Sequence, residues 1–185
     1  MVPAATIGTS RRGLLALGLG AGAAALLRRE AGAQEATAAP LVVYAVRHAE
    51  KGGEGRDPEL SLAGKARATE LARVLGDVPL DGVYSTSTIR TRATAGPIAK
   101  AKALEVQEYR PGEELIERLQ AGEARTVLVV GHSNTTPDLL RGLGASCAIK
   151  LLDGYDDLFL VVGIPAGATL LQRLRYGAVS KDPGH

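Results

Sequence analysis

The sequence predicts an α/β fold, in which helices cover both faces of a mostly parallel central sheet. Strand-like and helix-like segments alternate along most of the chain, which is the pattern of parallel sheets. Two apolar, β-branched runs also end on histidines: Leu41–Val46 precedes His48, and Thr126–Val130 precedes His132. Strands of this kind deliver the side chains that follow them to the carboxyl edge of the sheet, where α/β folds bind ligands.

The individual elements follow from residue pattern. Ser61 is a good N-cap, and apolar residues recur at helical spacing after it until Gly76. Pro97 predicts a kink or a break in the second helix. Thr136 is expected to cap the fourth helix, with Pro137 in its first position. The predicted strands are 41–46, 82–84, 104–108, 126–130, 158–162 and 169–176, and the predicted helices are 62–75, 88–101, 113–120 and one from 137. One of the last two strands is a candidate for an antiparallel strand at an edge.

The first 33 residues have the features of an export signal. Arg11-Arg12 precedes a run of Ala, Gly and Leu, and Ala31-Gly32-Ala33 has the small-x-small form of a signal peptidase site. The paired arginines indicate the twin-arginine route, and a Sec signal is the alternative. The apolar run, about 15 residues, is too short to span a bilayer comfortably. We therefore expect a periplasmic or extracellular protein without a stable membrane anchor, with an uncleaved anchor as the alternative.

The domain organisation predicted from composition is a flexible lead-in at 34–40, one domain at 41–176 and a tail at 177–185. Residues 1–33 carry four arginines and one glutamate, so their removal takes the formal net charge from +2 to −1. Without a basic surplus, nothing favours nucleic-acid binding. Cys147 is the only cysteine, which excludes internal disulfides and CxxC metal sites.

Several motifs resemble the histidine phosphatase superfamily, also called phosphoglycerate mutase-like. They are Arg47-His48-Ala49-Glu50, the segment 57–64, the segment 84–95 that contains Arg90, and Gly131-His132-Ser133-Asn134-Thr135. The superfamily's opening signature is Arg-His-Gly, and small phosphohistidine-phosphatase-like members share the Arg-His-Ala variant found here. The resemblance covers roughly residues 41–176. It implies a three-layer α/β/α sandwich without a large cap insertion.

The resemblance also implies roles for four side chains. His48 would attack phosphorus and form a phosphohistidine, which water then hydrolyses. His132 would donate a hydrogen bond to the phosphoryl group. Arg47 and Arg90 would bind its oxygens, because a guanidinium is planar and permanently charged, and their charges disfavour protonation of His48. Asn134 is a weaker candidate for the phosphate pocket.

The acid that protonates the leaving group is less clearly marked. Glu108 follows the third strand, where the mutase-like branch places a glutamate, and a surface role is the alternative. Asp57 and Asp157 are the reserve candidates. Ser85 is a weak candidate for the pocket, with a turn or cap role as the alternative.

The function these features predict is a phosphatase that needs no metal or cofactor. Its expected partner is a small phosphorylated substrate or a phosphoprotein. A phosphomutase and a non-catalytic phosphate- or partner-binding module of the same fold are the alternatives. A two-histidine metal hydrolase is disfavoured because the chain lacks His-x-x-x-His and clustered carboxylates. The physiological substrate and the oligomeric state stay open.

Overall fold

The structure, a computed structural model, describes residues 39–163 and 169–180. These residues form one six-stranded sheet with four helices. The strands are β1 Leu41–Arg47, β2 Gly82–Ser85, β3 Val106–Glu108, β4 Thr126–Gly131, β5 Asp157–Gly163 and β6 Thr169–Arg175. The helices are α1 Leu62–Val74, α2 Ile89–Ala101, α3 Glu113–Gln120 and α4 Thr135–Gly142. None of these helices has the length and apolar character needed to cross a bilayer. The predicted export signal lies outside the described residues.

The strands are arranged in the order β3-β2-β4-β1-β5-β6. The first four of these pair in parallel, whereas β5 is antiparallel to both β1 and β6. The antiparallel strand therefore lies inside the sheet, and its expected place at an edge is wrong. The five residues between β5 and β6 are too few for a parallel crossover, which needs a dozen or more, so the two strands form an antiparallel pair with β6 outermost.

Each face of the sheet is covered by two helices. Side chains alternate along β1: Val43 and Ala45 pack in the cluster formed with α3 and α4, whereas Val46 packs in the cluster formed with α1 and α2. The same alternation holds in β4, where Val129 belongs to the first cluster and Leu128 to the second. The predicted three-layer α/β/α sandwich is confirmed.

The first helix begins at its predicted cap, and the second begins close to its predicted start. The Ser61 hydroxyl accepts a hydrogen bond from the Gly64 amide at 3.0 Å, and Thr88 caps α2. Of the two outcomes predicted for Pro97, the break is wrong, because the helix continues to Ala101, and the kink stays a prediction. Proline removes only the donor for the Ala93 carbonyl, and Ala93 is exposed, so water can take that donor's place.

The third strand begins two residues later than predicted. Ala103 has φ +54°, and the Leu104 amide donates to the Ala99 carbonyl, so both residues complete the C-terminal turn of α2. The sequence does not show that an alanine adopts a left-handed backbone conformation, so this late start of the strand could not be predicted.

The fourth helix begins earlier than predicted, and Thr136 is not its cap. Asn134 is the N-cap and Pro137 is the third helical residue, where an amide has no partner within the helix. The Thr136 amide donates to the His132 carbonyl at 3.1 Å, and its hydroxyl donates to the Val46 carbonyl at 3.3 Å. Thr136 therefore ties the start of α4 to the end of β1.

The fold extends beyond Tyr176, into the segment assigned to the tail. Buried Arg67 donates to the carbonyls of Tyr176 at 2.9 Å and Ala178 at 2.7 Å. The Ser180 hydroxyl accepts from the Tyr155 amide at 2.9 Å. Residues 177–180 are thus attached to α1 and to the segment that precedes β5.

Candidate active site

The two predicted histidines meet at the carboxyl edge of the sheet. In the parallel β1–β4 pair, Arg47 is level with Gly131, so the residues that follow these two strands are neighbours. The His48 amide donates to the Gly131 carbonyl at 2.8 Å. The centroids of the His48 and His132 rings lie 5.4 Å apart, with an interplanar angle of 70°.

The His48 ring has a defined tautomer. Its Nδ1 lies 2.8 Å from the Ala49 carbonyl oxygen. A carbonyl only accepts hydrogen bonds, so Nδ1 carries the proton and Nε2 keeps its lone pair. The Ala49 amide donates to the Thr94 hydroxyl at 2.9 Å, which fixes the backbone that orients the ring. The imidazole is 3% exposed.

Arg47 is held by a short segment that precedes β5. Its Nη1 donates to the carbonyls of Leu152 at 3.1 Å and Gly154 at 3.4 Å. The guanidinium carbon lies 4.3 Å from the centroid of the Tyr155 ring, which is cation–π distance. The same ring lies 5.8 Å from the His48 ring.

Arg90 approaches the histidines from the first turn of α2. Its Nη1 donates to the Asp57 carboxylate at 3.2 Å, and the same carboxylate accepts from the Ile89 amide at 3.0 and 3.1 Å. The Arg90 Nε is buried and has no hydrogen-bond partner among the described residues. A buried donor of this kind is ready to bind an anion.

The positive charges and the burial of the site keep both histidines neutral. Burial is the largest cause that lowers the pKa of His48 to about 3, and Arg47 and Arg90 lower it further, against the opposing effect of the bond to Ala49. Burial, then Arg90 and Arg47, lowers the pKa of His132 to about 4. At neutral pH, therefore, His48 is an unprotonated imidazole beside two fixed cations.

The position of His132 is set by hydroxyl groups. Its amide donates to the Thr135 hydroxyl at 2.8 Å, and its Nε2 lies 3.4 Å from the Thr88 hydroxyl. A Cβ on Gly131 would lie 2.8 Å from the Thr135 oxygen and 3.1 Å from the Tyr109 hydroxyl. Gly131 therefore allows these groups to pack close to the backbone in front of His132.

The comparisons with known proteins agree with this geometry. Residues 43–119 match the sequence model of the histidine phosphatase superfamily, branch 1, a stretch that contains Arg47, His48 and Arg90. This part of the chain is similar to the histidine phosphatase superfamily. The similarity supports a phosphoric monoester hydrolase of the histidine phosphatase type.

Solved structures share the fold. The alpha-ribazole phosphatase from Shigella flexneri has a TM-score of 0.61 and 16% identity, over 77% of this chain and 100% of that one. The protein histidine phosphatase SixA complexed with tungstate has a TM-score of 0.62 and 15% identity, over 73% and 97%. The phosphoserine phosphatase from Entamoeba histolytica has a TM-score of 0.59 and 15% identity, over 75% and 97%. No curated protein matches the sequence.

The other predicted residues are exposed or have other hydrogen-bond partners. Glu108 is exposed at the end of β3, in an open cleft that Tyr109 and Arg110 also line. Asn134 is exposed, and its side chain does not cap α4. Ser85 is fully buried and donates to the Thr86 carbonyl at 2.7 Å. The assigned roles of Glu108 and Asn134 stay predictions.

The two reserve acids are held by arginines. Asp57 binds Arg90, as described above. Asp157 is 1% exposed and accepts from Arg173 at 2.6 and 2.8 Å, with Arg175 at 3.1 Å. Asp57 therefore belongs to the site as a partner of Arg90, whereas Asp157 joins β5 to β6.

Sequence reasoning missed the groups that contact Arg47 and His132. They are the Tyr155 ring, the carbonyls of Leu152 and Gly154, and the Thr88 hydroxyl. The only sequence feature that points to Tyr155 is that an aromatic residue stands shortly before a buried strand, and this feature is a weak indication of a functional role. Among the described residues, no group of three or more His, Cys, Asp or Glu side chains is arranged to hold a metal ion.

Proposed function

We propose that this phosphatase hydrolyses phosphomonoesters or phosphorylated protein side chains through a phosphohistidine on His48, without a metal ion. The observation that carries the proposal is the state of His48. Its Nδ1 is occupied by the Ala49 carbonyl, its Nε2 is unprotonated, and its pKa is lowered to about 3 between two arginines. A buried, neutral imidazole beside fixed cations suits attack on a phosphoryl dianion.

The proposed reaction has two steps. The Nε2 lone pair forms a bond to phosphorus while the bond from phosphorus to the leaving oxygen breaks, and that oxygen takes the electron pair and a proton from an acid, for which Glu108 is the candidate. Water then attacks the phosphohistidine and gives a proton back to the ionised acid, the P–N bond breaks with its electron pair returning to Nε2, and phosphate and neutral His48 are released. Arg47, Arg90 and His132 would bind the non-bridging oxygens in both steps.

The substrate class is proposed more broadly than any one compound. Among the structures that share the fold, one is described as a protein histidine phosphatase and one as an alpha-ribazole phosphatase. The first favours a phosphoprotein as the substrate and the second a small phosphoester. A panel that contains both classes, assayed with and without EDTA, tests the proposal. Activity lost with EDTA and restored by a divalent metal would favour a metal hydrolase.

The covalent step is tested with variants of His48 and Arg90. His48→Ala should abolish turnover and the acid-labile phosphoenzyme while the fold is retained. Arg90→Ala should lower kcat/KM strongly, whereas the matched control Arg92→Ala should not, since exposed Arg92 lies two residues away on another helix face. Turnover by His48→Ala within about tenfold of wild type, a barrier change of only ~1.4 kcal/mol, would refute the mechanism.

Export is a separate proposal that rests on Arg11-Arg12 and the segment Ala31-Gly32-Ala33. The mature chain should then begin at or close to Gln34. Intact-mass analysis of the protein from the periplasm or medium of a native expression host checks this start. Recovery of only the full-length chain from the cytosol would contradict it.

A further inference from the structure

The segment 152–155 contacts Arg47 and His48 at the end of β1 and Ser133 after β4. Its Leu152 and Gly154 carbonyls accept from Arg47, and its Tyr155 ring packs against the Arg47 guanidinium and lies near His48. The Leu152 amide also donates to the Ser133 carbonyl at 2.9 Å, directly after His132. One short segment thus links the surroundings of both histidines.

We propose that Tyr155 is a positioning residue that fixes the plane of the Arg47 guanidinium for the phosphoryl group. The two carbonyls hold Nη1 of Arg47. A ring 4.3 Å from the guanidinium carbon resists rotation of the guanidinium plane, because tilting the guanidinium loses both the cation–π attraction and the close packing. A planar fork binds phosphate well only in the correct plane.

The ring itself is held from the C-terminal side of the fold. The Tyr155 amide donates to the Ser180 hydroxyl at 2.9 Å, and Ser180 lies 3.5 Å from the Asp156 carboxylate. A Cβ on Gly154 would lie 2.6 Å from the Ser180 carbonyl oxygen, so residues 154 and 180 are in close contact. Tyr155 is 3% exposed, which leaves its ring little freedom. Residues 177–180 therefore support the catalytic edge as well as closing the fold.

Phosphate binding tests this proposal directly. The affinity for inorganic phosphate is measured by calorimetry at pH 7, with kcat and KM on p-nitrophenyl phosphate as a second readout. Tyr155→Leu should weaken phosphate binding roughly tenfold, the scale of a partly buried cation–π contact. Tyr155→Phe keeps the π face and should stay within about threefold of wild type. Unchanged phosphate affinity in Tyr155→Leu would overturn the proposal.

Tyr84→Leu is the matched control. Tyr84 is equally buried, and its ring lies 5.7 Å from the guanidinium of Arg118, which is not part of the site. This variant should lower the melting temperature without changing phosphate affinity. If it weakens phosphate binding as much as Tyr155→Leu does, the effect is general destabilisation and the positioning role is wrong.

A double-mutant cycle with Arg47→Met identifies the group through which Tyr155 acts. In that background Tyr155→Leu should have no further effect on phosphate affinity, whereas equal losses in both backgrounds would contradict the proposal.

Ser180→Ala should weaken phosphate binding less than Tyr155→Leu does, and unchanged affinity would remove Ser180 from the proposal. The positioning role rests on the proposed phosphate site but not on turnover. A wild type that binds phosphate but hydrolyses no ester would refute the catalytic proposal alone.

Discussion

Lowering the pH from 7 to 5 should destabilise this protein through its two active-site histidines. In the folded chain the pKa values of His48 and His132 are lowered from 6.5 to about 3 and about 4, so both stay neutral at pH 5. In the unfolded chain they take up protons as the pH falls below 6.5. The unfolded state then binds more protons than the folded state, and stability falls as the pH falls.

The size of the stability loss follows from the difference between pH 5 and the histidine pKa of 6.5 in the unfolded chain. For His48, about 1.5 pH units at 1.36 kcal/mol per unit give a loss of ~2 kcal/mol by pH 5. His132 is only partly buried, so solvent screening reduces its share to about 1 kcal/mol. Together they should remove about 3 kcal/mol, a large part of the 5–15 kcal/mol typical of a domain.

Urea unfolding at half-unit steps between pH 7 and pH 5 measures this loss. The range lies above the usual pKa values of carboxylates, so histidines dominate it. His48→Gln should remove more than half of the pH dependence, and the double variant with His132→Gln should show almost none. The reasoning is refuted if the double variant and the wild type lose stability equally over this range.

Three substitutions test other parts of the structure. Glu108→Gln should slow hydrolysis of an alkyl phosphate by roughly 10²-fold and affect p-nitrophenyl phosphate far less, because p-nitrophenolate leaves without a proton; equal losses would indicate a structural role. Gly131→Ala should lower both activity and melting temperature, because the added Cβ would lie 2.8 Å from the Thr135 oxygen that holds the His132 amide. Arg67→Met should lower the free energy of unfolding, measured in urea, by about 3–5 kcal/mol, because Glu50 loses its buried partner. Arg73→Met is the control and should be nearly neutral, because the pair of Arg73 with Glu70 is exposed.

The proximity of His48 and His132 was predictable because parallel strands place their carboxyl ends at one edge of the sheet. Two apolar runs that each end on a histidine can be recognised in the sequence. In an α/β fold these runs become strands that end at the same edge of the sheet, so the two histidines lie close together. Helix α3 was predicted with its observed bounds, since its first turn is acidic and its apolar residues recur at helical spacing.

The contacts that hold the side chains of the site in place could not be predicted in the same way. Tyr155 lies outside regular structure, and its position depends on the Ser180 hydroxyl, which is 25 residues away in sequence. Asp57 reaches Arg90 from an exposed loop across 33 residues. Contacts of this kind carry no periodicity, because the path of a loop is set by tertiary partners rather than by its own sequence pattern. The antiparallel position of β5 is likewise a property of the whole sheet.

The pH-dependent loss of stability and the proposed chemistry have one physical origin. Burial of His48 between two arginines excludes its charged form, which is unfavourable for folding whenever the unfolded chain can be protonated. The same exclusion keeps the Nε2 lone pair available where a phosphoryl group would bind. A phosphate dianion would offset the charges of Arg47 and Arg90 and so raise the pKa values of both histidines toward their usual range. Binding of the anion would thus make protonation of both histidines less unfavourable, and His132 would become a better hydrogen-bond donor only when there is a phosphoryl oxygen to accept.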